Sequence, residues 1–121
     1  MARKQSTQQI ENQLQRLRKD CETLKQQIAD LGYVLPGSIQ KRQYSCGKPN
    51  CRCMTEGILH GPYYQWTRKI SGKTVNISLE KEIAMTVKQW IKNNRKLRKL
   101  CTRLEKNSIA MLKIIANLDR I

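Results

Sequence analysis

The sequence predicts an α+β fold in which two long heptad-patterned helices, taken as an antiparallel pair, flank a small metal-stapled loop and a β-hairpin. Three observations lead there. Apolar residues recur with four-three spacing near both ends of the chain, the pattern of a helix with a coiled-coil seam. The middle alternates apolar and polar residues around Ser71-Gly72, the period of a half-buried strand pair. Cys46, Cys51 and Cys53 fall within eight residues, and His60, the single histidine, follows. At 121 residues the chain has room for one domain, and spending so much of itself on helices leaves a small core that a metal or cross-link would reinforce.

The N-terminal helix is expected over 5–31, with Ile10, Leu14, Leu17, Cys21, Leu24, Ile28 and Leu31 on its seam. Ser6 or Thr7 caps it and Gly32 stops it. The metal loop and hairpin follow over 33–78, rich in Gly, Pro, Cys and Tyr. With Ser71-Gly72 as the two-residue turn, Ile70 faces Lys73, Arg68 faces Val75, Trp66 faces Ile77 and Tyr64 faces Leu79. That register gathers Tyr64, Trp66, Ile70, Val75, Ile77 and Leu79 on a face expected to bury. Gln65, Thr67, Lys69, Thr74, Asn76 and Ser78 stay on the wet face. A lone hairpin is marginal in water, so its apolar face must pack on the helices or the metal loop.

The C-terminal basic helix is expected over 79–121, capped by Ser78 with Glu80 and Glu82 in its first turn. Its seam runs Leu79, Ile83, Val87, Trp90, Asn94, Leu97, Cys101, Leu104, Ser108, Met111, Ile115 and Leu118. If continuous it is about 60 Å long at 1.5 Å per residue. Asn94 and Ser108 interrupt the seam, so they fix register, or the helix bends or breaks near Asn107-Ser108. Cys21 and Cys101 read as buried small apolar side chains. Because this helix outruns the first by more than ten residues, Met111 to Leu118 is left over for a second copy or a protein partner, and a homodimer or partner complex is expected.

Zinc wants four tetrahedral sulfur or nitrogen ligands, and Cys46, Cys51, Cys53 and His60 offer three thiols and one imidazole within fifteen residues. Gly47 and Pro49-Asn50 supply the turns that wrap a small cation, and Lys48 and Arg52 offset the charge of three thiolates. The bland alternative is a set of reduced loop cysteines, with His60 merely closing the turn before Gly61-Pro62. An iron–sulfur cluster fits so small a loop less well. Met1-Ala2-Arg3-Lys4-Gln5-Ser6 leads into a polar helix and not an apolar signal region, and no apolar run approaches the roughly 20 residues of a membrane span. A cytoplasmic location is therefore expected, where clustered cysteines mean metal more often than disulfide, and five cysteines are an odd number.

Charge carries the second argument. Lys and Arg number twenty-four against nine Asp and Glu, and the excess is +2 over 1–31, +6 over 32–78 and +7 over 79–121. Lys92, Lys96, Lys99, Arg103 and Lys106 repeat with the seam's own spacing, displaced by two residues, and so form a stripe on the opposite side of the helix. Arg95 and Arg98 flank it, and Glu105 is the single acid among them. Solvated helix faces normally interleave Glu to make i,i+4 pairs, so this imbalance points to a polyanion, nucleic acid before membrane. The middle adds Lys41, Arg42, Lys48, Arg52, Arg68, Lys69 and Lys73 among Tyr44, Tyr63, Tyr64 and Trp66. Tyr64 and Trp66 are expected in the core, while Tyr44 and Tyr63 stay open as base contacts.

Gly37-Ser38-Ile39, the surroundings of Arg42, Cys46-Gly47-Lys48-Pro49-Asn50-Cys51-Arg52-Cys53, His60-Gly61-Pro62-Tyr63-Tyr64, Gly72-Lys73 and the helix after Leu79 together resemble a small uncharacterised bacterial and archaeal domain family. The likeness spans about residues 35 to 105 and leaves the N-terminal helix less clearly shared. Such domains often accompany transposases and other mobile-element genes, so the resemblance implies a mobile-element setting without a mechanism. It supports the three cysteines and His60 as one unit.

Catalysis is not expected. The one histidine is already a candidate ligand, the middle holds a single acid, Glu56, and no nucleotide fingerprint or acidic metal cluster appears. The expectation is a zinc-stabilised nucleic-acid-binding protein, DNA or RNA, with no small-molecule substrate, serving a mobile genetic element. The alternative is a coiled-coil interaction module that recruits or regulates a transposase or recombinase.

Overall fold

A computed structural model describes residues 6–117 in the order α1 (Thr7–Ala29), β1 (Ser38–Tyr44), α2 (Arg52–Thr55), β2 (His60–Ile70), β3 (Lys73–Leu79) and α3 (Lys81–Ala116). Leu118, the last expected seam position, lies outside the described residues. The class is α+β, with long helices and an antiparallel sheet ordered β1-β2-β3. Two compact units divide the chain, one made of the segments up to Gly32 and from Arg95 onward, the other of Tyr33–Asn94. No helix among the described residues is long and apolar enough to cross a membrane.

In the first unit, α1 opens on a capping box. The Ser6 hydroxyl accepts from the Gln9 amide at 3.2 Å, and the Gln9 side chain accepts from the Ser6 amide at 3.1 Å, so two free donors of the first turn are satisfied. The helix ends at Ala29 and not at Leu31. Asp30 stays right-handed and its amide still donates to the Gln26 carbonyl, so the chain leaves the helix without using Gly32 as a left-handed cap. Cys21 and Leu24 are buried, and Ile10, Leu14, Leu17, Ile28 and Leu31 are half-buried, so every expected seam position of α1 is covered.

The matching part of α3 keeps the four-three spacing but on a neighbouring row. Leu100 is buried and Leu97, Leu104, Asn107, Met111 and Ile114 are half-buried, whereas Cys101, Ser108 and Ile115 are exposed. Cys101 is therefore not a buried apolar side chain. The row through Leu97, Leu100, Leu104 and Met111 carries more apolar surface than one through Cys101 and Ser108, and burial follows area. α3 also runs unbroken through Asn107-Ser108, because the Ser108 hydroxyl donates to the Leu104 carbonyl at 2.8 Å within the helix. Ala110, Lys113 and Ile114 line a groove with Gln13, Arg16 and Leu17, and in the stretch expected to be left over Met111 and Ile114 are half-buried while Leu112 and Ile115 are exposed.

In the second unit, β2 and β3 pair in the expected register, from Ile70↔Lys73 to Tyr64↔Leu79. Ser71 at φ 50° and Gly72 at φ 80° are both left-handed, the backbone of the two-residue turn whose twist suits a hairpin. β1 was not expected. It pairs antiparallel with β2, Ile39 opposite Trp66 and Lys41 opposite Tyr64, with the register shifting between Arg42 and Tyr44. Its sequence, SIQKRQY, has no apolar alternation to mark it. Ser78 and Leu79 complete the ladder opposite Gln65 and Tyr64, so α3 starts at Lys81, after a Glu80 carbonyl that accepts from the Ala84 amide at 2.8 Å, and Ser78 is not its cap.

The sheet's apolar face buries only in part. Tyr64 is buried, Trp66, Val75 and Leu79 are half-buried, and Ile70 and Ile77 remain 44% and 39% exposed. Arg68 stands on that same face and lays its guanidinium 4.5 Å from the centre of the Trp66 ring. The Trp66 indole donates to the Pro36 carbonyl at 2.9 Å, and Gly37, at φ 91°, passes so close that a β-carbon would strike the Thr67 carbonyl and the indole. Ala84, Val87 and Ile91 bury the first turns of α3, while Ile83, expected on the seam, is 51% exposed. The Leu35 amide donates to the Trp90 carbonyl at 3.1 Å and the Asn93 side chain to the Tyr33 carbonyl at 2.9 Å, tying the entry loop to α3.

Leu24, 2% exposed, is the largest fully buried side chain among the described residues, so Leu24→Ala should cost about 2 to 5 kcal/mol in urea denaturation. Cys101→Ala, on the exposed side, should change stability by less than about 0.5 kcal/mol.

Candidate functional site

The loop from Ser45 to Leu59 is a chain of short turns that converge on one point. Gly47 turns at φ 76°, the Cys51 amide closes the next turn onto the Lys48 carbonyl at 3.1 Å, and Cys51 then caps the four-residue helix α2. Two residues later Cys53 faces inward, 7% exposed. Gly57 at φ 70° reverses the chain again, and His60 opens β2 opposite Tyr44.

The four expected ligands are brought together. The Sγ atoms of Cys46, Cys51 and Cys53 and the ring nitrogen of His60 all lie within 4.8 Å of one another. Cys46 Sγ and Cys53 Sγ are 3.4 Å apart, and Cys51 Sγ lies 3.1 Å from His60 Nε2. Metal–sulfur bonds of about 2.3 Å arranged tetrahedrally require ligand separations of roughly 3.7 Å, inside this range, so the donor set fits a four-coordinate ion. The Cys46 amide at 3.4 Å and the Ser45 hydroxyl at 3.7 Å donate to Cys53 Sγ. Burial works to raise the Cys53 thiol, yet these two donors, with the Cys46 and Cys51 thiols, outweigh it and bring it down to about 6. The Cys46 thiol moves up. The Lys48 amide lowers it, but burial, hydrogen bonds shared with Cys53 and Cys51, and the charge of Cys51 prevail. A thiolate on Cys53 is the form that ligates.

Beside this centre the aromatic rings form a stair. Tyr44 stacks on His60 with ring centres 5.4 Å apart and on Tyr63 at 5.7 Å, and the two tyrosines remain 50% and 46% exposed. Arg42, Tyr44, Tyr63 and Gln65 line a hollow of about 250 Å³ on the wet face of the sheet. Gln65 was missed as a site residue; its signal is that it lies opposite Gln40 on the unexpected strand β1. Gly61, at φ 102°, lets the chain pass from His60 to this face, since a β-carbon would approach the Arg42 carbonyl to 2.6 Å.

The basic residues separate into two sets. Lys41, Arg42, Lys48, Arg52, Lys69 and Lys73 are exposed in the middle segment, with Arg52 bonded to Glu56 at 2.8 Å. Arg68 is half-buried over Trp66, its Nε enclosed without a hydrogen-bond partner, which draws it away from the surface. Along α3, Lys92, Arg95, Lys96, Arg98, Lys99, Arg103 and Lys106 are all exposed, and among the described residues the ion pairs are Lys25–Glu22 and Arg52–Glu56, so none of these seven is neutralised.

The family model of a domain of unknown function, DUF6788, matches residues 5–89. The chain belongs to the DUF6788 family. The match takes in α1, which the resemblance had left less clearly shared, together with the metal loop, the sheet and the first turns of α3. It stops short of the stripe that begins at Lys92. Neither the curated proteins nor the solved structures hold a match to the chain.

Native protein should contain about one metal ion per chain by elemental analysis. Cys51→Ser should lose both the ion and the amide protection of the middle segment, because metal-binding energy in such a site is folding energy. A chain that stays folded and metal-free in chelator would contradict the assignment.

Proposed function

We propose that this DUF6788 protein is a zinc-stabilised nucleic-acid-binding protein and, in the mobile-element setting that the resemblance implies, an accessory factor of such an element. Zinc is the ion that three thiols and an imidazole select, and a site with four protein ligands is structural, with no position left open for a reacting water. Glu56, the one acid near it, is engaged by Arg52. Binding, and not catalysis, is the role these features support.

The observation that carries the proposal is the unneutralised row on α3. Lys92, Lys96, Lys99, Arg103 and Lys106 are exposed at four-three spacing without a carboxylate partner, over about 21 Å of helix. Such a row attracts phosphates and releases their counterions on contact. The zinc loop fixes the sheet beside Tyr44, where any preference among bases would arise. α1 and the later half of α3 form an antiparallel heptad pair in this reading, supported by the groove between Leu17 and Ile114.

A second reading is favoured by Ile109, Leu112 and Ile115, which are 38%, 49% and 65% exposed along one side of α3. That side would recruit a second copy or a recombinase-type partner, the charge then serving the partner's nucleic acid.

The purified chain should bind nucleic acid with an affinity that falls steeply with salt, each neutralised phosphate adding roughly 0.7 to 0.9 to the log–log slope. Changing Lys96, Lys99 and Arg103 together to Gln should flatten that slope by roughly 2 to 3 while helicity and metal content stay unchanged. A triple variant that binds as tightly as the parent at every salt concentration would overturn the role of the stripe. Little binding by the parent, with loss of assembly in Leu112→Lys, would favour the second reading.

A further inference from the structure

We infer that the hollow between Arg42, Tyr44, Tyr63 and Gln65 is a seat for one unpaired nucleobase, which makes single-stranded nucleic acid the preferred ligand of the sheet. This rests on the nucleic-acid reading above and assigns it a substrate class and a second contact surface, independent of the helical stripe.

The argument starts from what the rings are free to do. Tyr44 and Tyr63 stand on the wet face at half exposure, with ring centres 5.7 Å apart and planes 31° from parallel. Tyr44 is backed by His60 at 5.4 Å, which holds its ring while half of its surface stays in solvent. Among the described residues, neither tyrosine hydroxyl, nor the Gln65 carboxamide, nor the Arg42 guanidinium has a side-chain hydrogen bond, so none of these polar ends is spent inside the chain. Exposed aromatic surface with unpaired polar ends around it is the composition of a stacking platform.

The chemistry of each group selects the ligand. A tyrosine ring offers a face to any planar base, whereas Gln65 offers one donor group and one acceptor to a base edge. Arg42 presents a cation that suits the phosphate of the same nucleotide. At about 250 Å³ the hollow is smaller than the roughly 300 to 1,000 Å³ of drug-sized ligand sites, so it admits a single flat group. In a duplex both faces of a base are covered by its neighbours, and only an unpaired base has a face to give. The sheet therefore discriminates single strands from duplex, which a row of lysines on a helix does not.

The test uses two short strands of equal charge, oligothymidylate and a strand of the same length whose nucleotides all lack bases, with oligouridylate as the RNA arm. The full-length metal-loaded chain should bind oligothymidylate or oligouridylate roughly 5- to 100-fold more tightly than the base-free strand. Tyr63→Leu keeps bulk, leaves the Tyr44–His60 ring pair in place, and should erase most of that preference at unchanged metal content and unchanged affinity for the base-free strand. Gln65→Ala should reduce it less. Equal binding of base-bearing and base-free strands by the parent would overturn the inference, and so would a preference that survives Tyr63→Leu. If the base-free strand still binds in a salt-dependent way, the nucleic-acid reading stands while the base seat falls; if neither strand binds, both fall.

Discussion

Four ligand atoms have to meet in a stretch of chain that has almost no apolar means of holding itself. Between Ser45 and Leu59, Cys53 is the one buried residue, and Met54, Ile58 and Leu59 are 52%, 51% and 47% exposed. The hydrophobic effect scales with area removed from water, and here little area is removed. The loop is shaped instead by short-range turns that place three sulfurs and a nitrogen within 4.8 Å. An ion at their centre would replace many weak contacts by four strong ones, and its reach would extend beyond the loop. His60 is also the first residue of β2, paired with Tyr44 of β1, so an ion held there would bear on where the sheet begins.

The second constraint is repulsion. A formal charge of +15 on 121 residues favours an expanded or partnered state, and α3 concentrates part of it without internal compensation. Like charges three and four residues apart weaken a helix by a few tenths of a kcal/mol per pair. α3 offsets this with length and with the buried side chains Ala84, Val87, Ile91 and Leu100. In the proposed reading the uncompensated charge is the binding term itself. The family match ends before the stripe, so metal loop and sheet belong to the shared domain while the stripe lies beyond it.

Much of this was legible in the residues. Helix α1 was readable because seven apolar positions keep one unbroken helical spacing, and the hairpin register was readable because Ser71-Gly72 admits one two-residue turn. The clustering of Cys46, Cys51, Cys53 and His60 was readable from donor type and spacing. β1 was not, because an edge strand with a polar sequence carries no periodicity and is specified only by the partner it pairs with. The covered row of α3 was misjudged by one position, since Cys101 and Ser108 kept the spacing while Leu100 carried the area. Ile70 and Ile77 were expected inside; the reading of that face had overlooked that alternation puts Arg68 among them. Gln65 escaped notice for the same reason as β1, since its neighbours in the hollow come from the strand that could not be seen.

Gly61 joins two requirements in one position. It follows His60, a candidate metal ligand, directly, and its backbone passes where the Arg42 carbonyl leaves no room for a side chain. If the four donors hold an ion, a lineage that lost it would be released from keeping the cysteines, but would still need glycine here for as long as β1 and β2 stayed paired. Glycine persisting after the ligands had decayed would mark descendants in which the sheet outlived the metal. Loss of both together would mark those in which neither was retained.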